Sequence, residues 1–138
     1  MWLLLACGTS PPAEPVGWGA PRTTQSGRYR VSLETTPDLP PRGELFRVTA
    51  VLTEPNGTPI EDGKVALDAR MPQHNHGMMT DPIDDLGQCD PAGVNCKHPG
   101  GRYEASGFKF HMGGEWTITV DVVGPRGPDN TSFVYSQP

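Results

Sequence analysis

Two of the four histidines and three of the five methionines in this chain fall within nine residues, Met71-Pro72-Gln73-His74-Asn75-His76-Gly77-Met78-Met79. Imidazole and thioether are neutral ligands suited to copper: thioether selects Cu(I), and imidazole accepts Cu(I) or Cu(II). A second pairing, His111-Met112-Gly113-Gly114, follows about thirty residues later. Together the two stretches nominate His74, His76 and His111 as nitrogen donors, with Met78 or Met112 as a soft additional ligand. Neighbours on an extended strand face opposite ways, so only one of His111 and Met112 faces a site while the other packs on the core. Met71, directly after a strand, reads as core rather than ligand, and so does Trp116. Taken singly, His74 and His76 each read more readily as solvated loop side chains than as ligands; the grouping is what points to metal.

The chemistry implied is binding, not turnover. A catalytic zinc site commonly adds a carboxylate and an open water position, but no carboxylate lies inside Met71–Met79 and Asp81 is the nearest. Neither a Ser/His/Asp arrangement, a glycine-rich phosphate loop nor a paired-acid pattern stands out. An enzyme is not expected.

These residues need a frame, and the alternation of apolar and polar residues supplies one. Period-2 patterning marks strands at Arg28–Glu34, Glu44–Glu54, Lys64–Arg70, Glu115–Val123 and Thr131–Ser136. Arg102–Ser106 and Phe108–Phe110 alternate on either side of Gly107 and read as one kinked strand. Asn56-Gly57 is a turn. No segment reads as a helix. Six or seven short alternating strands with Gly/Pro turns predict a single all-β domain, an antiparallel immunoglobulin-like β-sandwich of about seven strands over residues 28–136. Residues 8–27, with four prolines and no periodicity, read as a flexible linker that also carries Trp18.

At 138 residues the chain holds one domain, and its 17 glycines and 16 prolines demand many turns. The formal charge is −5 and the basic residues are scattered, which argues against nucleic acid and acidic lipid surfaces as partners. An acidic balance is compatible with a cation partner. No run of 18 apolar residues is present to span a bilayer as a helix. Leu4-Leu5-Ala6-Cys7 resembles a lipobox, with residues 1–7 as a truncated signal and Cys7 the lipidated residue. The alternative is an ordinary apolar terminus with a free thiol. For an exported chain, Cys89 and Cys96 read as a disulfide pinning a loop. A thiolate metal site is the rival, although it favours tighter spacing such as C-x-x-C.

Strand parity decides whether the two His/Met stretches meet. If Lys64–Arg70 climbs to one end of the sandwich and the next strand is Arg102–Phe110, His111 emerges about 20 Å away, at the other end. If an extra extended segment lies within Met79–Leu86, the chain first descends, turns through the Cys89–Cys96 loop and climbs again. His111 then arrives beside His74 and His76. Pro82 and its neighbouring aspartates suit such a segment as an edge strand. A structureless connection of about thirty residues would be unusual in a small domain. The descending segment is therefore expected, with His98 at the far end and not a ligand.

The run Met-Pro-x-His-x-His-Gly-Met at 71–78, followed by Gly-Arg-Tyr-x-Ala-x-Gly-Phe-x-Phe-x-Met-x-Gly-x-Trp at 101–116, resembles the YtkA-like domain family, to which FixH-like proteins are related in pattern. The Cys89–Cys96 insertion departs from that pattern. The resemblance implies a small extracytoplasmic β-sandwich, often a lipoprotein or membrane-tethered, found near copper or heavy-metal handling systems. The expectation is an extracytoplasmic copper-binding accessory or carrier, in the periplasm or cell envelope and touching membrane only through a lipid anchor. The alternative is a non-metal interaction module that assists a membrane efflux or oxidase assembly protein.

Overall fold

The structure, a computed structural model, describes residues 20–138. Cys7, Trp18 and most of the expected linker lie outside the described residues. In chain order the strands are β1 (Arg22–Thr23), β2 (Arg30–Thr36), β3 (Leu45–Thr53), β4 (Lys64–Met71), β5 (His76–Gly77), β6 (Ile83–Asp84), β7 (Gln88–Cys89), β8 (Cys96–Lys97), β9 (Arg102–Lys109), β10 (Gly114–Gly124) and β11 (Gly127–Gln137). One sheet has the order β1-β2-β3-β9-β6 and the other β11-β10-β4-β5, with β7-β8 a separate hairpin. Every pairing between these strands is antiparallel. The fold is a β-sandwich, all-β as its alternating sequence requires.

Six of the strands are long and carry the core; the other five have two residues each. Alternation puts Val31 and Leu33 of β2 and Phe46, Val48, Ala50 and Leu52 of β3 on the inner face of one sheet. Leu67, Ala69 and Met71 of β4 face them from the other sheet, with Trp116, Ile118, Val120 and Val122 of β10. Among the described residues the only helical pieces are three-residue 3-10 turns at Pro72–His74 and Pro99–Gly101.

Two boundaries differ from the sequence reading. The last strand begins at Gly127, not Thr131, because its early residues pair along β10 from Gly124 onward. The ordered domain begins before Arg28: Arg22 and Thr23 pair with Val31 and Arg30, inside the stretch read as a linker over 8–27. Composition hid this, since the segment is held through polar groups. The Asp129 carboxylate accepts hydrogen bonds from the Thr24 hydroxyl at 2.6 Å and from the backbone N–H groups of Ser26, Arg28 and Asn130. Burial pushes this carboxyl up, but those donors outweigh it and hold its pKa at about 2.

Gly107 decides the parity of β9. Tyr103 and Ala105 point inward on odd positions, while Phe108 and Phe110 point inward on even ones. The switch is a bulge: Phe46 pairs with Phe108 but Val48 pairs with Ala105, so Ser106 and Gly107 together oppose Arg47. Gly107 has φ +82°, and a Cβ there would lie 2.7 Å from the Asp81 carbonyl oxygen. The expected kink is this bulge, within one continuous strand.

Two outcomes follow. Gly107→Ala combines an unfavourable φ with a collision against backbone, and lowers stability by about 1–3 kcal/mol in urea unfolding. Asp129→Asn lowers it by about 1–2 kcal/mol at neutral pH through the weakened charge-assisted bonds. The native Asp129 pKa is depressed from 3.8, so its stabilisation is complete above that value and is lost as pH falls through about 2. Urea midpoints of the two proteins therefore converge across that window.

Candidate functional site

β4 runs up to Met71, fully buried, and the chain then turns at once. Pro72 opens the 3-10 turn, where its missing N–H costs nothing. Asn75 closes the turn in the left-handed region, φ 51°, its N–H donating to the Pro72 carbonyl oxygen. Asparagine tolerates that conformation better than other side chains do. The chain doubles back so that His76 pairs with Met71 and Gly77 with Arg70. The nine-residue stretch is thus a tight cap on the end of β4.

The descending segment is present. Ile83 and Asp84 of β6 pair antiparallel with Ser106 and Ala105 at the edge of the first sheet. Because β6 descends, β9 climbs, and His111 emerges at the end where β4 delivered His74 and His76. The His76 and His111 rings have centroids 5.5 Å apart, and those of His74 and His76 are 5.8 Å apart. Two imidazoles on one ion, each nitrogen at about 2.0–2.1 Å from it, would hold their centroids about 5 Å apart. The spacing fits a shared ion. Among the described residues, no three His, Cys, Asp or Glu side chains stand arranged to hold an ion as they are. A complete set therefore requires ring rotation or thioether donors. His74 is exposed, so its ring has room to turn, whereas His76 is half-buried among the neighbouring rings.

Trp116 forms the floor of the cluster. Its indole meets His111 at 5.6 Å and His76 at 6.4 Å, both steeply inclined to it, and stacks on Phe110 at 4.5 Å. The indole N–H donates to the Met112 carbonyl oxygen at 3.0 Å, tying down the loop that carries His111. Gly114, at φ +121°, lets the backbone pass the Met71 methyl group, which would lie 2.9 Å from a Cβ at that position. Met78 and Met112 are half-buried and pack against the core, whereas Met79 is 80% exposed.

Among the described residues, the Nδ1 atom of His111 is buried and has no hydrogen-bond partner. A buried polar atom without a partner costs about 1–3 kcal/mol. Gln137, at the same end of the sandwich opposite Gly114, likewise has a buried Oε1 without a partner. By contrast, His76 Nδ1 lies 3.0 Å from the Gly77 carbonyl oxygen.

His98 lies at the other end, buried and stacked on Tyr103 at 4.1 Å, as its position after the disulfide loop implied. Cys89 and Cys96 are bonded, directly opposite each other in the β7-β8 hairpin. A disulfide here fits an oxidising compartment. Sequence reasoning assigned Trp116 to the core correctly but missed that it also supports the histidines. It missed Gln137 and Asp129 too. The available signal was inward parity, since both are polar residues on the face that carries Phe133 and Tyr135.

If His111 is kept for ligation rather than stability, removing its orphaned nitrogen relieves a cost. His111→Phe therefore leaves the metal-free domain as stable as the native protein or more so, by up to about 1 kcal/mol in urea unfolding. A loss of more than about 1 kcal/mol would show the imidazole to be structural.

Compared with protein families, residues 23–121 match the family model described as YtkA-like. Comparison with curated proteins and with solved structures gave no match.

Proposed function

The chain belongs to the YtkA-like family, and from that membership we propose that it is a non-catalytic copper-binding accessory or carrier protein working outside the cytoplasm. The observation that supports the reading most is the pairing of His76 with His111 at 5.5 Å, with His111 Nδ1 buried and unpartnered. A metal ion would supply the partner that this nitrogen lacks among the described residues. His76 and His111 would form the stable half of the site and His74 a mobile third donor. Met78 or Met112 would add a soft ligand where the copper is Cu(I). Imidazole and thioether without carboxylate suit reversible copper uptake better than a hydrolytic zinc centre. The disulfide supports the compartment, and Cys7, if lipidated, would provide the anchor.

The test uses full-length protein with Trp2 and Trp18 changed to Phe, leaving Trp116 as the sole indole. Copper held between His76 and His111 would lie close to that indole, so titration should quench its fluorescence with a one-to-one endpoint and a Kd tighter than about micromolar. His76→Ala and His111→Phe should each abolish the endpoint, and His98→Ala should leave it unchanged. Met78→Leu and Met112→Leu should weaken Cu(I) binding more than Cu(II) binding. No saturable quenching by either oxidation state would end the copper reading.

A further inference from the structure

A cavity of about 770 Å³ opens at the end of the sandwich away from the histidine cluster, between the start of β4, the chain after β6 and the β7-β8 hairpin. Its volume lies within the usual range for ligand pockets, about 300–1,000 Å³. The Cys89–Cys96 bond ties together the hairpin that forms one of its walls.

His98 lines this cavity and is only 8% exposed. Its backbone is fixed on both sides: the N–H donates to the Glu61 carbonyl oxygen at 2.7 Å, and the carbonyl oxygen accepts from the Gly101 N–H at 3.0 Å. The ring stacks on Tyr103, and Gly87, at φ +78°, makes room for it, since a Cβ there would come within 3.0 Å of the imidazole. Neither ring nitrogen has a hydrogen-bond partner among the described residues, yet neither is sealed off as His111 Nδ1 is. The imidazole thus presents its polar atoms to the cavity.

Asp62, Asp84 and Asp85 share the lining with Lys64 and Lys97. The ion pairs among the described residues are Arg102–Glu34 and Arg126–Glu54, so neither lysine neutralises an aspartate. Both lysines are exposed, and their long stems let the ammonium groups stay in water. The aspartates are short, and backbone donors hold two of them: the Leu67 N–H donates to Asp84, and the Gly87 N–H to Asp85 at 2.9 Å. Burial holds the Asp84 carboxyl above its ordinary value, only partly offset by the Leu67 N–H and reinforced by Asp68, and a cation beside it would relieve that cost. Val65, Leu86 and Val94 add apolar surface, the last two 74% and 76% exposed.

We propose that this cavity binds a small organic cation, a primary ammonium carried on an apolar body. The ammonium donates to the Asp62 and Asp84 carboxylates and to the acceptor nitrogen of His98. The body lies against Val65, Leu86 and Val94. An organic cation suits the cavity better than a metal ion, which would fill little of the space and gain nothing from apolar walls. The site is separate from the histidine cluster and does not depend on the copper reading.

Full-length protein labelled with ¹⁵N would be titrated, without metal, with phenethylammonium and separately with 3-phenylpropionate and 2-phenylethanol. The expected result is saturable shifts of the amides of residues 84–86 and 94–98 by phenethylammonium, with a Kd of about 1 mM or tighter. The carboxylate and the alcohol should bind at least about tenfold more weakly. Asp62→Asn/Asp84→Asn should weaken phenethylammonium by about tenfold, and His98→Phe, which keeps a ring on Tyr103, by at least about threefold. The comparison of the three compounds needs only the native protein, so it decides the matter even where a variant misfolds. Equal or tighter binding of 3-phenylpropionate would assign the cavity to Lys64 and Lys97 and overturn the proposal. Shifts confined to other surfaces, no saturation, or undiminished binding by the folded double variant would overturn it too.

Discussion

The bulge at Gly107 is the constraint on which the rest of the structure most depends. One extra residue in β9 reverses which positions face inward, and both halves of the strand become amphipathic in the same direction. Without it, either Tyr103 and Ala105 or Phe108 and Phe110 would face away from the core. Phe110 supports Trp116 and Trp116 supports the histidines, so the geometry of the cluster is inherited from this point. The close approach of Asp81 to Gly107 also fixes where the descending segment crosses, with the Thr80 hydroxyl donating to the Gly107 carbonyl oxygen at 2.5 Å.

The two ends of the sandwich solve different problems. At the histidine end, polar atoms are buried and left unmatched: His111 Nδ1 and Gln137 Oε1. At the opposite end, matching is close, with the Tyr103 hydroxyl accepting from the Gly63 N–H and donating to the Ile60 carbonyl oxygen. Tyr29 makes a similar bridge, donating to Gly127 and accepting from the Arg126 N–H. Sheet edges receive comparable attention. β1 and β6 are two residues long, and the arginines Arg22 and Arg28 donate to carbonyl oxygens of β11. Short edges and charged cover both discourage pairing with other chains.

Much of this was legible in the sequence because burial of one face of a strand leaves a period-2 trace. Phe46, Val48, Ala50 and Leu52 announce β3, and Trp116, Ile118, Val120 and Val122 announce β10. The meeting of His74, His76 and His111 followed from counting strands, provided that Ile83–Asp84 was one of them. Pairs such as Arg22–Thr23 or Gln88–Cys89 left no trace, since two residues cannot show a period. The Asp129 hub was equally silent, because its partners Thr24, Ser26 and Arg28 are about a hundred residues away in the chain. Nor could any pattern show that His111 would lack a partner. That depends on what the fold fails to place beside it.

The contacts between chain ends also bear on when the protein can fold. Arg22 donates to Ser132 across 110 residues and Thr24 to Asp129 across 105. β10 receives β11 along its whole length, so the sheet stays incomplete until almost the last residue is available. A topology dominated by such distant pairings folds slowly, in about milliseconds to seconds, and gains little from a nascent chain that is still short. A polypeptide of this design cannot complete its second sheet until Gln137 is free to pair with Gly114.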